Sequence, residues 1–393
     1  MTLMTIDEPR RTAPAGFALF ALGFRPFYLL AAAFAAVAVP AWVLMLAGRL
    51  PLPLPGYLWH AHEMLLGFST AAVTGFLFTA GRNWTGIMTP SGARLAGLAA
   101  VWVAGRIAML SGPGLLAALV DLAFLPLVAL ALGRVLIQAE NTRNYFLVGL
   151  LAAWTVANLW FHLAVAGLIG GDPLRALLLA LGVIVLFLTV IGGRVIPMFT
   201  QSALRGVQPW QHARLNHAAI GFTGLALALW AIVPGPVGAS VALLATLLQA
   251  VRCWGWRPWA TRRTPLLWVL HLGHLWVPVG LLLVALAQLG LVAESAAVHG
   301  LAIGAIAGVI IGMMTRTARG HTARPLAAGG VEIFAYAALQ GAVLLRVSTL
   351  LAFPALATGG THLAATLWAL AFAAYFARYL PWLLRPRPDG KPG

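Results

Sequence analysis

Imidazole side chains inside apolar runs are the groups of this chain best able to do chemistry. Several of its ten histidines lie in stretches long enough to cross a bilayer, among them His60, His62, His271, His274 and His299. Burying an ionisable group in hydrocarbon is costly, so each such position marks a candidate functional site. Neutral imidazole is a common ligand for iron and copper. The sequence therefore predicts a metal or haem protein of the membrane.

Helical geometry limits which of these side chains can act together. Residues two apart on a regular α-helix point about 200° apart, so His60 and His62 cannot face one metal from the same helix. Residues three apart share a face, which predicts that His60 lies beside Glu63 and that His271 lies beside His274. His162 and His362 have no such partner in their own segments, and their roles stay open.

The elements that must position these residues are membrane-spanning helices. Hydrophobic residues make up 61% of the chain and charged residues only 9%. Windows of about 20 residues, the length of a membrane helix, give twelve apolar spans. Their centres lie near Ala33, Ser69, Val101, Phe124, Trp154, Val185, Ala226, Leu244, Gly280, Ala305, Ala342 and Leu370. The predicted fold is an all-α polytopic membrane protein with about twelve transmembrane helices in one bundle.

Basic residues predict the orientation of this bundle. They concentrate in every second connection and at both chain ends, at Arg10, Arg11, Arg82, Arg94, Arg134, Arg143, Arg205, Arg214, Arg252, Arg257, Arg262, Arg263, Arg316, Arg319, Arg324, Arg385, Arg387 and Lys391. By the positive-inside rule, both termini face the cytoplasm. Residues 1–16 are then a cytoplasmic tail, 17–384 a single transmembrane domain and 385–393 a second cytoplasmic tail. The same asymmetry explains the net charge of +16 without nucleic-acid binding.

Orientation converts sequence position into depth. Spans two and ten both begin at the outer surface, so His60, His62 and Glu63 lie at the depth of His299. Arg106 and Arg346 lie near the outer ends of spans three and eleven. They could pair with the propionates of a haem held on those imidazoles, or extend to the outer interface. His271 and His274 lie near mid-membrane.

We therefore predict a non-covalent haem b that bridges spans two and ten. His299 is one ligand, and His62 is favoured over His60 because Glu63 would bring a carboxylate towards the iron. The copper candidates are His271 and His274, with Glu63 as a further ligand. No C-x-x-C-H motif is present, so covalent haem attachment is excluded. The glycines that recur every four residues from Gly300 indicate either close helix packing or space for a macrocycle.

Several stretches together resemble one family of bacterial membrane proteins. They are ALGFRPFYLL from Ala21, WHAHEMLLGF from Trp59, GFLFTAGRNWTG from Gly75, GGRVIPMFTQ from Gly192, HLGHLW from His271 and VHGLAIGAIAGVIIGMMTRTARGHTARPL from Val298. The family is NnrS, whose members are linked to nitric oxide stress and denitrification. The resemblance implies twelve spans, haem and copper, but no particular reaction. The core of the haem-copper oxidases is a looser analogy, with a haem held between its second and tenth helices.

Three functions are open at this point. The leading one is a haem and copper protein of the bacterial inner membrane that acts in the response to nitric oxide or in denitrification. The second is a transporter of a small solute, metal or haem, although no inverted repeat is evident. The third is a non-catalytic scaffold for respiratory complexes. Whether the protein is an enzyme stays open, and its partners are the lipid bilayer and, for the leading function, nitric oxide or its adducts.

Overall fold

The computed structural model describes residues 16–51 and 54–391. Within these residues the secondary structure is helical, with no strands. Twelve of the described helices are long and apolar enough to span a membrane: α1 Phe24–Leu46, α2 Gly56–Thr85, α3 Gly92–Leu110, α4 Leu115–Gln138, α5 Thr142–Val165, α6 Pro173–Ala203, α7 Ala213–Ile232, α8 Pro236–Gly255, α9 Pro265–Gln288, α10 Glu294–His321, α11 Gly330–Leu351 and α12 Pro354–Leu384. The predicted fold class and span count are confirmed, and each predicted centre lies within its helix.

The predicted tails are covered only in part. Residues 1–15 of the N-terminal tail and residues 392–393 of the C-terminal tail lie outside the described residues. The first and last parts of the described chain lie together: the backbone N–H of Ala18 donates to the carbonyl oxygen of Leu384 over 2.8 Å. We call this end of the bundle the terminal end and the opposite one the distal end.

Four helices form the interior of the bundle. In α2, α6, α9 and α10, 72–78% of the most apolar window is buried, whereas only 33% is buried in α3, α4, α5 and α7. The exposed apolar faces of the outer helices indicate a lipid bilayer environment. All five histidines of interest lie on three of the interior helices.

The α9 and α10 helices pack at backbone distance. A Cβ added to Gly308 would lie 3.1 Å from the Cα of Gly273, and Gly304 and Gly312 lie against side chains of α9. The regularly spaced glycines of α10 therefore serve close helix packing.

Two interior helices each contain a π-helical turn that directly follows a histidine. In α2 the π-helix covers Glu63–Phe68 and directly follows His62, and in α10 it covers Gly300–Ala307 and directly follows His299. A π-helix has i→i+5 hydrogen bonds, which change the directions of side chains relative to a regular helix, and such turns are frequent at functional sites.

Replacement of Gly273 by alanine should destabilise the protein. Its new methyl group would lie 2.8 Å from backbone atoms of Gly308 and Val309, and such overpacking costs about 1–3 kcal/mol. Gly149→Ala is the matched control, because nothing lies within 4 Å of that position. The thermal unfolding midpoint in detergent should fall for Gly273→Ala and stay or rise for Gly149→Ala. Equal changes would contradict the close packing of α9 and α10.

Candidate haem and metal sites

A cavity of about 310 Å³ lies at the distal end of the bundle. Side chains from α1, α2, α6, α10, α11 and α12 line it, and most of them are apolar. His60 of α2 and His299 of α10 contribute two imidazoles. The volume lies within the range of about 300–1,000 Å³ that is usual for small-molecule sites. An apolar cavity with imidazoles from two helices is suited to an apolar, metal-containing ligand.

The ring of His299 is held in one tautomer. Its Nδ1 lies 2.7 Å from the backbone carbonyl oxygen of Ser295 and 3.1 Å from the Ser295 hydroxyl. A carbonyl oxygen only accepts hydrogen bonds, so Nδ1 carries the proton. Nε2 is then unprotonated and can bind a metal, with the carbonyl fixing the orientation of the ring.

The ring of His60 is fixed by stacking. It lies on the indole of Trp42, with ring centroids 4.1 Å apart and an angle of 19° between the planes. Its Nδ1 is buried and has no hydrogen-bond partner among the described residues. The α2 helix thus presents to the cavity an imidazole that is fixed by stacking and has a buried nitrogen without a hydrogen-bond partner among the described residues.

The polar lining of the cavity includes one guanidinium and one carboxylate, and that carboxylate, Glu294, pairs with Arg175 at 3.2 Å. Arg346 lies in the lining, and its Nη1 donates to the hydroxyl of Thr361 over 2.8 Å. In the described part of the chain, no carboxylate forms an ion pair with Arg346. A guanidinium without an acidic partner is available to bind a ligand carboxylate through two hydrogen bonds.

A second group of polar side chains lies at the same end of the bundle, between α2, α3, α4 and α5. We call it the Asp121 cluster; it consists of His62, Glu63, Arg106, Asp121, Asn158 and His162. Five of its members are buried, and His162 is half-buried. Arg106 pairs with both carboxylates, at 2.7 Å from Glu63 Oε1 and with Asp121 Oδ1.

Asp121 Oδ2 is the centre of this cluster. Three nitrogens surround it: Nδ2 of Asn158 at 2.7 Å, Nε2 of His162 at 2.9 Å and Nε2 of His62 at 3.3 Å. The other ring nitrogen of His62 lies 2.9 Å from Glu63 Oε1. His62, Asp121 and His162 each offer one ligand atom, and these atoms lie within 4.8 Å of one another.

The cluster changes the assignment of three residues relative to the sequence prediction. His62, Glu63 and Arg106 do not line the distal cavity, whereas His60 does. The structure brings His60 rather than His62 to the distal cavity, and Arg106 is engaged by Glu63 and Asp121. Glu63 forms its contacts with His62 and Arg106, so it is not available to join His271 and His274. A π-helical turn begins at Glu63, whereas the expected position of Glu63 beside His60 assumed a regular helix.

His271 and His274 are both buried in α9, closer to the terminal end. The hydroxyl of Thr200 donates to the carbonyl of Ile196 and therefore accepts from Nε2 of His271, which lies 2.8 Å away. Nδ1 of His271 is then unprotonated. Both ring nitrogens of His274 are buried without a partner among the described residues. A Cβ at Gly192 would lie 2.8 Å from its Nδ1, so only glycine leaves room for this ring.

Sequence reasoning missed the partnership of Asp121, Asn158 and His162. They lie on two helices, so no spacing along one helix joins them. Asp121 is nevertheless one of the few carboxylates within the spans, and His162 lies at a similar depth. The available signal was that Asp121, a charged residue, lies within the bilayer at a depth similar to that of Arg106 and His162.

Twelve apolar helices with imidazoles buried between them define a multi-pass α-helical membrane protein. The model of the NnrS protein family matches residues 18–387, nearly the whole chain. The chain therefore belongs to the NnrS family, which confirms the resemblance found in the sequence. This membership supports a membrane protein related to the nitric oxide response. A search of curated proteins finds no match.

Replacement of Arg106 by leucine should destabilise the protein strongly. It would leave Glu63 and Asp121 buried without their guanidinium, and breaking a buried pair in this way costs about 3–5 kcal/mol. Arg175→Leu is the control, because its pair with Glu294 is about one-third exposed (31% and 34%) and such pairs contribute about 0–1 kcal/mol. Thermal unfolding in detergent compares the two; similar midpoints would contradict the importance of the Asp121 cluster for stability.

Proposed function

We propose that this protein is a haem- and copper-containing protein of the bacterial cytoplasmic membrane that acts in the response to nitric oxide. In this proposal haem b occupies the distal cavity, with His60 and His299 as its ligands and Arg346 beside a propionate. Copper is bound by His271 and His274. Both termini lie on the cytoplasmic side, as the basic connections indicate.

The single observation that carries the proposal is the meeting of two imidazoles and an unpaired guanidinium in one apolar cavity. A b-type haem needs imidazole for its iron, apolar walls for its ring and a cation for its carboxylates. The protonation state of His299 also suits a haem ligand, because Nδ1 carries the proton and donates to the Ser295 carbonyl, which leaves Nε2 unprotonated for the iron.

The chain's own residues divide the work of this site. When bound, the haem would supply a one-electron redox centre, to which nitric oxide would bind only by displacing one of the two imidazoles. Trp42 fixes the ring of His60 by stacking, and Ser295 fixes the ring of His299. The apolar lining excludes water and lowers the local dielectric constant, which tunes the potential of any metal centre held there.

Support for copper at His271 and His274 comes from unused ligand atoms. Imidazole suits copper, and a buried ring with two unpartnered nitrogens carries an energetic cost that a metal on its unprotonated nitrogen would reduce. Thr200 holds His271 in the tautomer that leaves Nδ1 free. The pair lies three residues apart on α9, so the two rings share a face.

Loss of either cavity histidine should change the haem. Purified wild-type protein should show a low-spin b-type spectrum, and His299→Ala and His60→Ala should each lose the haem or convert it to high spin. His362→Ala is the control, because this histidine is exposed near the same end of the bundle and does not line the cavity. An unchanged spectrum in His299→Ala would contradict the proposed site.

Loss of the α9 pair should affect copper alone. His274→Ala and His271→Ala should each lose bound copper, measured by elemental analysis, and keep the Soret band of the haem. His217→Ala is the control, because this histidine is exposed on α7. Loss of haem with copper retained would mean that His271 and His274 bind the haem, so that the two cofactors are assigned to the wrong sites.

A further inference from the structure

We propose that the Asp121 cluster is a third metal site, which binds a divalent first-row transition ion through Nε2 of His62, Nε2 of His162 and Oδ2 of Asp121. The site is separate from the distal cavity and from the α9 pair. It stands on its own contacts and does not depend on the proposed haem.

The first support is the tautomer of His62. Glu63 is held next to Arg106 at 2.7 Å, and its carboxylate accepts a hydrogen bond from Nδ1 of His62 at 2.9 Å. Nε2 then points its lone pair at two further acceptors, Oδ1 of Asn158 at 3.2 Å and Oδ2 of Asp121 at 3.3 Å. Three acceptor atoms facing one another require a cation between them, either a proton or a metal ion.

Distances favour a metal over a proton. A hydrogen bond from an imidazolium to a carboxylate is short, about 2.7–2.9 Å, whereas Nε2 of His62 lies 3.3 Å from Asp121 Oδ2. Ligand atoms around a metal with bonds of about 2.0–2.2 Å lie roughly 3.0–3.5 Å apart. The 3.3 Å between Oδ2 and Nε2 of His62 fits that spacing, whereas the 2.9 Å between Oδ2 and Nε2 of His162 is also an ordinary hydrogen-bond length.

The acceptor capacity of Asp121 is compatible with a metal. A carboxylate oxygen has about two lone-pair positions, and hydrogen bonds from Asn158 and His162 would fill both, while Nε2 of His62 lies 3.3 Å from Oδ2 and 3.2 Å from Asn158 Oδ1. If the two imidazole nitrogens are ligands instead of donors, Oδ2 binds the metal and accepts only from Asn158. Asp121 Oδ1 remains the acceptor for Arg106.

Charge and access are also suitable. Two carboxylates face one guanidinium in this buried cluster, so neutral imidazoles leave one negative charge that a cation would compensate. Glu63 behind His62 forms the carboxylate–histidine–metal arrangement common in metal sites. The side chain of His162 is 10% exposed at the distal end, which gives an ion a route of entry. Two imidazoles and one carboxylate suit Zn²⁺ and Fe²⁺.

Equilibrium dialysis of the purified full-length protein against Zn²⁺, with elemental analysis, tests the proposal. The measurements use a His274→Ala background, so that the α9 pair cannot bind the probe. We expect one Zn²⁺ per chain, with two imidazoles in its X-ray absorption spectrum. His162→Ala should weaken Zn²⁺ binding by more than about 10-fold, and Glu63→Gln by about 10- to 100-fold.

His362→Ala is the matched control, because this histidine is exposed on α12 near the same end of the bundle. It should bind Zn²⁺ like the parent. The elution volume in size-exclusion chromatography and the thermal unfolding midpoint report whether each variant is folded, and Glu63→Gln keeps the test valid if His162→Ala is unstable. The metal site would be overturned if the parent bound no Zn²⁺, or if folded His162→Ala and Glu63→Gln bound Zn²⁺ as tightly as the parent. The Asp121 cluster would then be a network of ion pairs in which a proton lies between the acceptor atoms.

Discussion

The burial of polar side chains in an apolar bundle is the constraint on which this structure depends. No water is available in hydrocarbon to satisfy a ring nitrogen or a carboxylate, so each needs a partner in the protein or a ligand. The α2 helix carries three such groups within four residues, His60, His62 and Glu63. His60 and His62 point about 200° apart on the regular α-helix that precedes the π-helical turn, so one imidazole lines the distal cavity and the other joins the Asp121 cluster.

The two distal sites have opposite electrostatic requirements. The one carboxylate that lines the cavity, Glu294, pairs with Arg175, and Arg346 has no acidic partner among the described residues. The Asp121 cluster instead contains two carboxylates for the one guanidinium of Arg106. The first site is therefore suited to a ligand with carboxylates, and the second to a cation. The proposed haem and metal ion would satisfy these two requirements, and α2 would contribute an imidazole to each site.

The sequence was sufficient to predict the helices but only part of the sites. Span number and position followed from apolar length, and the common depth of His60 and His299 followed from basic residues that alternate between connections. The Asp121 cluster could not be predicted, because it joins Asp121 of α4 to Asn158 and His162 of α5, and helical periodicity describes only one helix at a time. The π-helical turns were equally hidden, since the position of Glu63 beside His60 was derived for a regular helix.

The central claim is that a haem lies between α2 and α10 at the distal end. Single-particle electron cryomicroscopy of the purified, haem-loaded protein tests this most directly. The account predicts a planar density in the distal cavity, with its centre bonded to the rings of His60 and His299 and one edge next to Arg346. A cavity filled by lipid, with the haem density elsewhere in the bundle, would contradict it.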